Sequence, residues 1–177
     1  MSLKQDSSII SFIEAATEFC ELVELPLQNP EEWIELVLPA ISSLYACAHQ
    51  LPKISIEDAI EFEEDDFEVT DKEWKRIYDK IASLFKEKRY YREYFDPSEP
   101  IDSEVEPVIG DIADDLSDIY RDIKPGLRAW DKLPESSIPI VIFNWINPNF
   151  GSHWGEHALS AMRVLHPINF LRGINSD

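Results

Sequence analysis

His153 and His157 are the two residues whose type and spacing point most directly to chemistry. They stand four apart in a segment whose apolar spacing predicts a helix. At about 100° per residue they share one stripe. With Trp154 set at zero, Phe150, Ala158, Ala161 and Leu165 fall within about 40° of it and mark the core face. His157 lies about 60° off and His153 about 100° off, so the pair occupies the edge of the core. His166 falls on the other flank and is a poor partner for them.

An upstream helix supplies the complement. Asp111, Asp114, Asp115, Asp118 and Asp122 surround an apolar stripe of Ile112, Leu116, Ile119 and Ile123. Asp115 and Asp122 sit on one flank, about 90–110° from the stripe centre, and Asp118 lies nearly opposite it. Antiparallel packing of the two helices would bring Asp115 or Asp122 to the histidines. Two imidazoles with a carboxylate, here His153, His157 and Asp115, suit a divalent ion such as Zn²⁺, Fe²⁺ or Mn²⁺. The same residues equally suit a charge-assisted hydrogen bond that only fixes packing, or direct acid–base work. The candidate cluster is His153, His157, Asp115, Asp118 and Asp122, with Trp154 and Arg163 beside them.

Other motifs are excluded. Trp154, Gly155 and Glu156 separate the histidines, so the HExxH pattern of zinc proteases is absent. The five glycines form neither GxGxxG nor a P-loop. Gly151 and Gly155 are spaced to let another helix backbone approach. Trp145 reads as core. Cys20 and Cys47 form no CxxC pair and read as buried free thiols.

Helices must position these groups. Asp6, Ser7 or Ser8 caps a first amphipathic helix carrying Ile9, Phe12, Ala16, Phe19 and Val23. Asn29-Pro30-Glu31-Glu32 is a start signal for a second, with a kink or a fresh start at Pro39. Thr70-Asp71-Lys72-Glu73 is a capping box opening a third. A long helix is predicted over 107–131, with Ile109 on its buried stripe and a possible kink at Pro125. The apolar run 138–146 suits either a buried helix or a strand. A lone strand has no partner elsewhere in the chain and would leave its backbone groups unsatisfied, so a helix is expected. Asn147-Pro148 restarts a helix that carries the histidines to about residue 166. Acidic connections fall near 52–70 and 96–107. In the first, Ile56, Ile60 and Phe62 can anchor a short helical turn. The expected fold is an all-α, single-domain bundle of six to seven helices over 1–177, some kinked at proline.

The 177 residues carry 35 acids and 16 bases, a net charge of −19. A chain of this length buries roughly 70% of its unfolded surface, enough for a core without staples. The charge opposes nucleic acid and anionic membranes as partners and favours a basic protein. It is uneven. Residues 72–92 hold eight bases and three acids (8 − 3 = +5), with Tyr90, Tyr91 and Tyr94 interleaved, and the remainder is −19 − 5 = −24. That segment reads as a solvated face for the acidic connections or for a second copy in a homodimer. No secretory signal and no apolar run of membrane-spanning length is visible, so a soluble cytoplasmic chain is expected.

Several motifs together resemble a known family. They are Phe95-Asp96-Pro97, Asp114-Asp115-Leu116, Asp118-Ile119-Tyr120-Arg121-Asp122, and His153-Trp154-Gly155 with His157, Ala158, Ala161, Arg163, Leu165 and His166. Across residues 90–170 the chain resembles the bacterial family called domain of unknown function 5063. The resemblance implies an all-helical fold and assigns no activity. Two functional expectations follow from the residues. One is a non-catalytic interaction or regulatory module with an acidic surface. The other is a metal-binding, hydrolase-like enzyme using the His/Asp site between the last helices.

Overall fold

The computed structural model describes residues 2–26, 29–55, 67–94, 105–146 and 149–171. Helices α1 (Ser7–Glu24), α2 (Pro30–Ala48), α3 (Asp71–Phe85), α4 (Ile112–Trp130), α5 (Ile138–Ile146), α6 (Asn149–Ser152) and α7 (Trp154–Leu171) form one bundle. The caps lie where local sequence places them. The Asp6 carboxylate accepts from the Ser8 amide at 2.8 Å, the Asn29 side chain from the Glu31 amide at 2.9 Å, and the Thr70 hydroxyl from the Glu73 amide at 3.2 Å. Each meets a backbone donor that a helix start otherwise leaves unpaired. Helix α2 runs through Pro39 without a restart. Pro39 is exposed, so water can meet the carbonyl that its missing N–H leaves free.

Helix α4 is the hub, touching α1, α3, α5 and α7. Phe12, Ile119, Ile123, Trp145 and Trp154 are among the buried residues around it. Trp145 packs 4.9 Å from Phe12 and 6.2 Å from Trp130, ring centre to ring centre. Its indole donates to the Ile123 carbonyl at 3.2 Å, and its own carbonyl accepts from the Trp154 indole at 2.8 Å. Residues 138–146 are therefore the expected buried helix. Cys20 is buried, which pushes its thiol up to about 12, while Cys47 is only partly covered.

The structure corrects the long helix. Strands β1 (Tyr90–Glu93) and β2 (Val108–Asp111) form an antiparallel pair, with Tyr91 opposite Gly110 and Tyr90 opposite Asp111. Helix α4 starts only at Ile112, where the Asp111 side chain accepts from the Ala113 amide at 2.9 Å. Ile109 is consequently 65% exposed rather than core. The pairing satisfies the backbone of 108–111, so those residues need no helix. The last helix is corrected as well. It breaks at His153 between α6 and α7, then continues through Pro167 to Leu171. At Gly155 the close approach is that of the preceding turn. A Cβ there would stand 2.0 Å from the Phe150 carbonyl oxygen of the preceding turn, and one at Gly151 would meet nothing within 4 Å. The helical turn at Ile56, Ile60 and Phe62, the start at Asn147-Pro148, and Phe95-Asp96-Pro97 lie outside the described residues.

Within the basic segment, Lys75 pairs with Asp79 at 2.6 Å and Lys80 donates to the Val23 and Leu25 carbonyls at the end of α1. Among the described residues no helix is long and apolar enough to cross a membrane.

Candidate metal centre

Helices α4 and α7 pack side by side and bring the histidines onto the aspartates. His153 ends the short α6 and also begins α7, because the His157 amide donates to its carbonyl at 3.1 Å. The four-residue relation therefore survives the break, and the two rings stand 4.9 Å apart, centre to centre. His153 Nδ1 lies 2.7 Å from Asp122 Oδ2, and His157 Nδ1 lies 2.8 Å from Asp115 Oδ1. Each ring has thus committed Nδ1 to its own carboxylate. That fixes the tautomer and leaves Nε2 with its lone pair outward whenever the imidazole is neutral.

Asp118 lies between the two carboxylates on α4, and its Oδ2 is 3.6 Å from His157 Nε2. One ligand atom from each of Asp118, His153 and His157 falls within 4.8 Å of the others. Ligand atoms around a small divalent ion sit about 3–3.4 Å apart, so closing on an ion takes side-chain movements of about an ångström. The carboxylate nearest the free nitrogen of His157 is therefore that of Asp118, while Asp115 is taken by Nδ1. Asp115 and Asp122 stand behind the rings, where a carboxylate orients a metal-bound histidine and raises its basicity.

Neighbouring elements hold these carboxylates in turn. Asp118 points away from the core of its own helix, yet only 17% of its side chain is exposed, because α3 covers it. The Trp74 indole donates to Asp118 Oδ1 at 2.7 Å, leaving Oδ2 for the cluster. The Tyr91 hydroxyl, from β1, donates to Asp115 Oδ2 at 2.7 Å. The Tyr91 ring lies across Gly110, where a Cβ would come within 2.3 Å of it, so the hairpin needs a residue without a side chain at that point. Glu93 on the same strand accepts from the Ser160 hydroxyl of α7 at 2.7 Å, tying the hairpin to the helix that carries His157.

The electrostatics follow from burial and neighbours. Burial pushes the Asp115 and Asp122 carboxyls up, against the histidine hydrogen bonds that pull them down. Asp114 is also pushed up, by burial and then by the charge of Asp118. At His157, burial favours the neutral ring, but the hydrogen bond to Asp115 and the surrounding carboxylate charges outweigh it, so the imidazole sits above 6.5.

Not every expected residue joins the site. Trp154 is fully buried and belongs to the core. Arg163 is exposed on α7 and makes none of the contacts described around the cluster, and His166 packs on Phe170. Conversely, Trp74, Tyr91 and Gly110 carry no spacing signal that ties them to the histidines, since they sit on separate elements. The interleaving of tyrosine with arginine over 88–94 is real, but Tyr91 turns inward to Asp115 while Tyr90 and Tyr94 stay exposed.

Residues 4–170 match a family described as domain of unknown function (DUF5063), which extends the likeness well upstream of 90–170. The chain belongs to the DUF5063 family. The crystal structure of protein BF1032 from Bacteroides fragilis is similar to this DUF5063 chain, with a TM-score of 0.75 and 27% identity over 93% of this chain and 94% of that one. No curated protein matches the chain.

The arrangement makes one local prediction. Asp115→Asn and Asp122→Asn each leave a histidine without its orienting carboxylate. Each variant is expected to bind Zn²⁺ about 10–100-fold more weakly than the native chain, by calorimetric titration. Unchanged affinity in both would show that the carboxylates do not serve an ion.

Proposed function

We propose that this DUF5063 protein binds a divalent metal ion through His153, His157 and Asp118, and that a water on that ion is its reactive group. One observation carries this reading. Both imidazoles give Nδ1 to a dedicated carboxylate, His157 Nε2 lies 3.6 Å from Asp118 Oδ2, and a ligand atom of His153 falls within 4.8 Å of theirs. A purely structural His–Asp contact needs one such pair and no convergence on a third group. Two histidines and one carboxylate leave coordination positions free, the pattern of centres that work on a substrate rather than hold a fold. The His153 side chain is 45% exposed, so solvent reaches that side. The bound ion would lower the pKa of a water and supply a nucleophile at neutral pH, which favours hydrolysis.

The alternative is a non-catalytic module whose acidic surface docks a basic protein or a second copy. It draws on net charge alone, whereas the metal reading has a defined geometry. The test is elemental analysis of protein purified without a nickel column, followed by thermal unfolding with Zn²⁺ and Mn²⁺. At a hundredfold excess over Kd an ion adds about 2.7 kcal/mol, or roughly 5–10 °C for a domain of this size. A metal-free protein whose midpoint ignores both ions would return the site to packing and favour the docking module.

A further inference from the structure

Arg121 is a thinly paired cation on the helix that carries Asp118. On α4 it lies about 60° from Asp118 toward α3, while Asp122 lies about 40° toward α7, so the guanidinium and His153 flank Asp118 from opposite sides. Its Cζ sits 4.7 Å from the centre of the Trp74 ring, whose indole N–H is the one bound to Asp118. Stacking therefore holds the guanidinium beside the carboxylate that would ligate the ion.

Its polar pairing is unfinished. Among the described residues Arg121 makes no hydrogen bond. Its ion pair is long, 3.5 Å, and reaches Asp71, whose side chain is fully exposed. An exposed pair of that kind contributes little. Its Nε is buried and has no hydrogen-bond partner among the described residues. Arg128, one helical stretch further along, donates to the Phe67 and Glu68 carbonyls and to Glu73. In so acidic a chain, an arginine that hydrogen-bonds to none of the described acids calls for another acceptor.

We propose that the free coordination positions of the ion take an oxyanion, a phosphoryl or carboxylate group, and that a second oxygen of that group is held by Arg121. This rests on the metal reading above. The fork of an arginine matches the paired oxygens of either group. A divalent ion and Arg121 together offset the three charges of Asp115, Asp118 and Asp122, which leaves Asp114 and Glu93 as the nearby acids and makes the site far less repulsive to an anion. Without the ion it would be repelled.

The experiment uses the full chain loaded with Co²⁺, its visible absorption titrated separately with inorganic phosphate and with acetate. A saturable spectral change is expected with at least one anion. Phosphate alone assigns a phosphoryl group, and acetate alone a carboxylate. Arg121→Gln can still stack on Trp74 but lacks the charge. It should bind Co²⁺ as the native chain does and lose about tenfold or more in anion affinity. Arg121→Lys should fall between the two. Equal anion titration in native and Gln chains, or no spectral response to either anion, overturns the proposal while the metal site stands. Failure of the native chain to bind Co²⁺ overturns both.

Discussion

Asp118→Asn is expected to weaken Zn²⁺ and Mn²⁺ binding by about a hundredfold or more, because it removes the one charged ligand of the cluster. The isosteric amide keeps an oxygen for the Trp74 indole, so the metal-free protein should unfold within a few degrees of the native chain. Isothermal titration with circular dichroism melting separates the two effects. Native-like affinity in Asp118→Asn would remove Asp118 from the ligand set. The same site predicts opposite pH trends with and without metal. His157 has a folded value above 6.5. Without metal, its pairing with Asp115 contributes stability that is complete below the unfolded value and is lost as pH rises through the folded one. Metal needs the neutral ring, so affinity should rise across that interval, with proton release on binding. A metal affinity flat in pH from 6 to 8 would contradict the assignment of His157.

Trp145→Ala is expected to cost about 3–5 kcal/mol in urea unfolding. The side chain is 1% exposed and its indole bonds a main-chain carbonyl of α4. A Cβ added at Gly126 would stand 2.3 Å from its Nε1, so the ring fills the space that this glycine leaves on α4. Removing it opens a cavity between α1, α4 and α5 and orphans the Ile123 carbonyl from its indole donor. Trp145→Phe should recover much of the loss, since it refills most of the volume. A cost below 1 kcal/mol for the alanine variant would mean that the core closes over the gap. The cavity lies behind α4, on its core side, so metal affinity at the remaining folded fraction should change little.

The helices were legible in the sequence because their signals are local. Asp6, Asn29 and Thr70 cap helices within three residues of themselves, and the stripe of Ile112, Leu116, Ile119 and Ile123 needs only the 3.6-residue period. The His153–His157 spacing and the flanking position of Asp115 and Asp122 came from the same arithmetic. The helical period alone places Asp118 opposite the core stripe, within the candidate cluster, and Asp115 as the possible ligand. In the structure the Trp74 indole of α3 covers Asp118, and each imidazole uses its Nδ1 on one of the flanking carboxylates, contacts that chain position alone does not show. The hairpin is not legible in the sequence for a related reason. Tyr91 and Gly110 are 19 positions apart, neither segment alternates strongly, and strand pairing is a property of two segments rather than one. The sequence by itself determined the helices, their caps and which chemical groups share a helix face. The tertiary structure alone decided which of those groups meet, which carboxylate takes each Nδ1 and which indole Arg121 stacks on, because those depend on side-chain contacts between elements tens of residues apart.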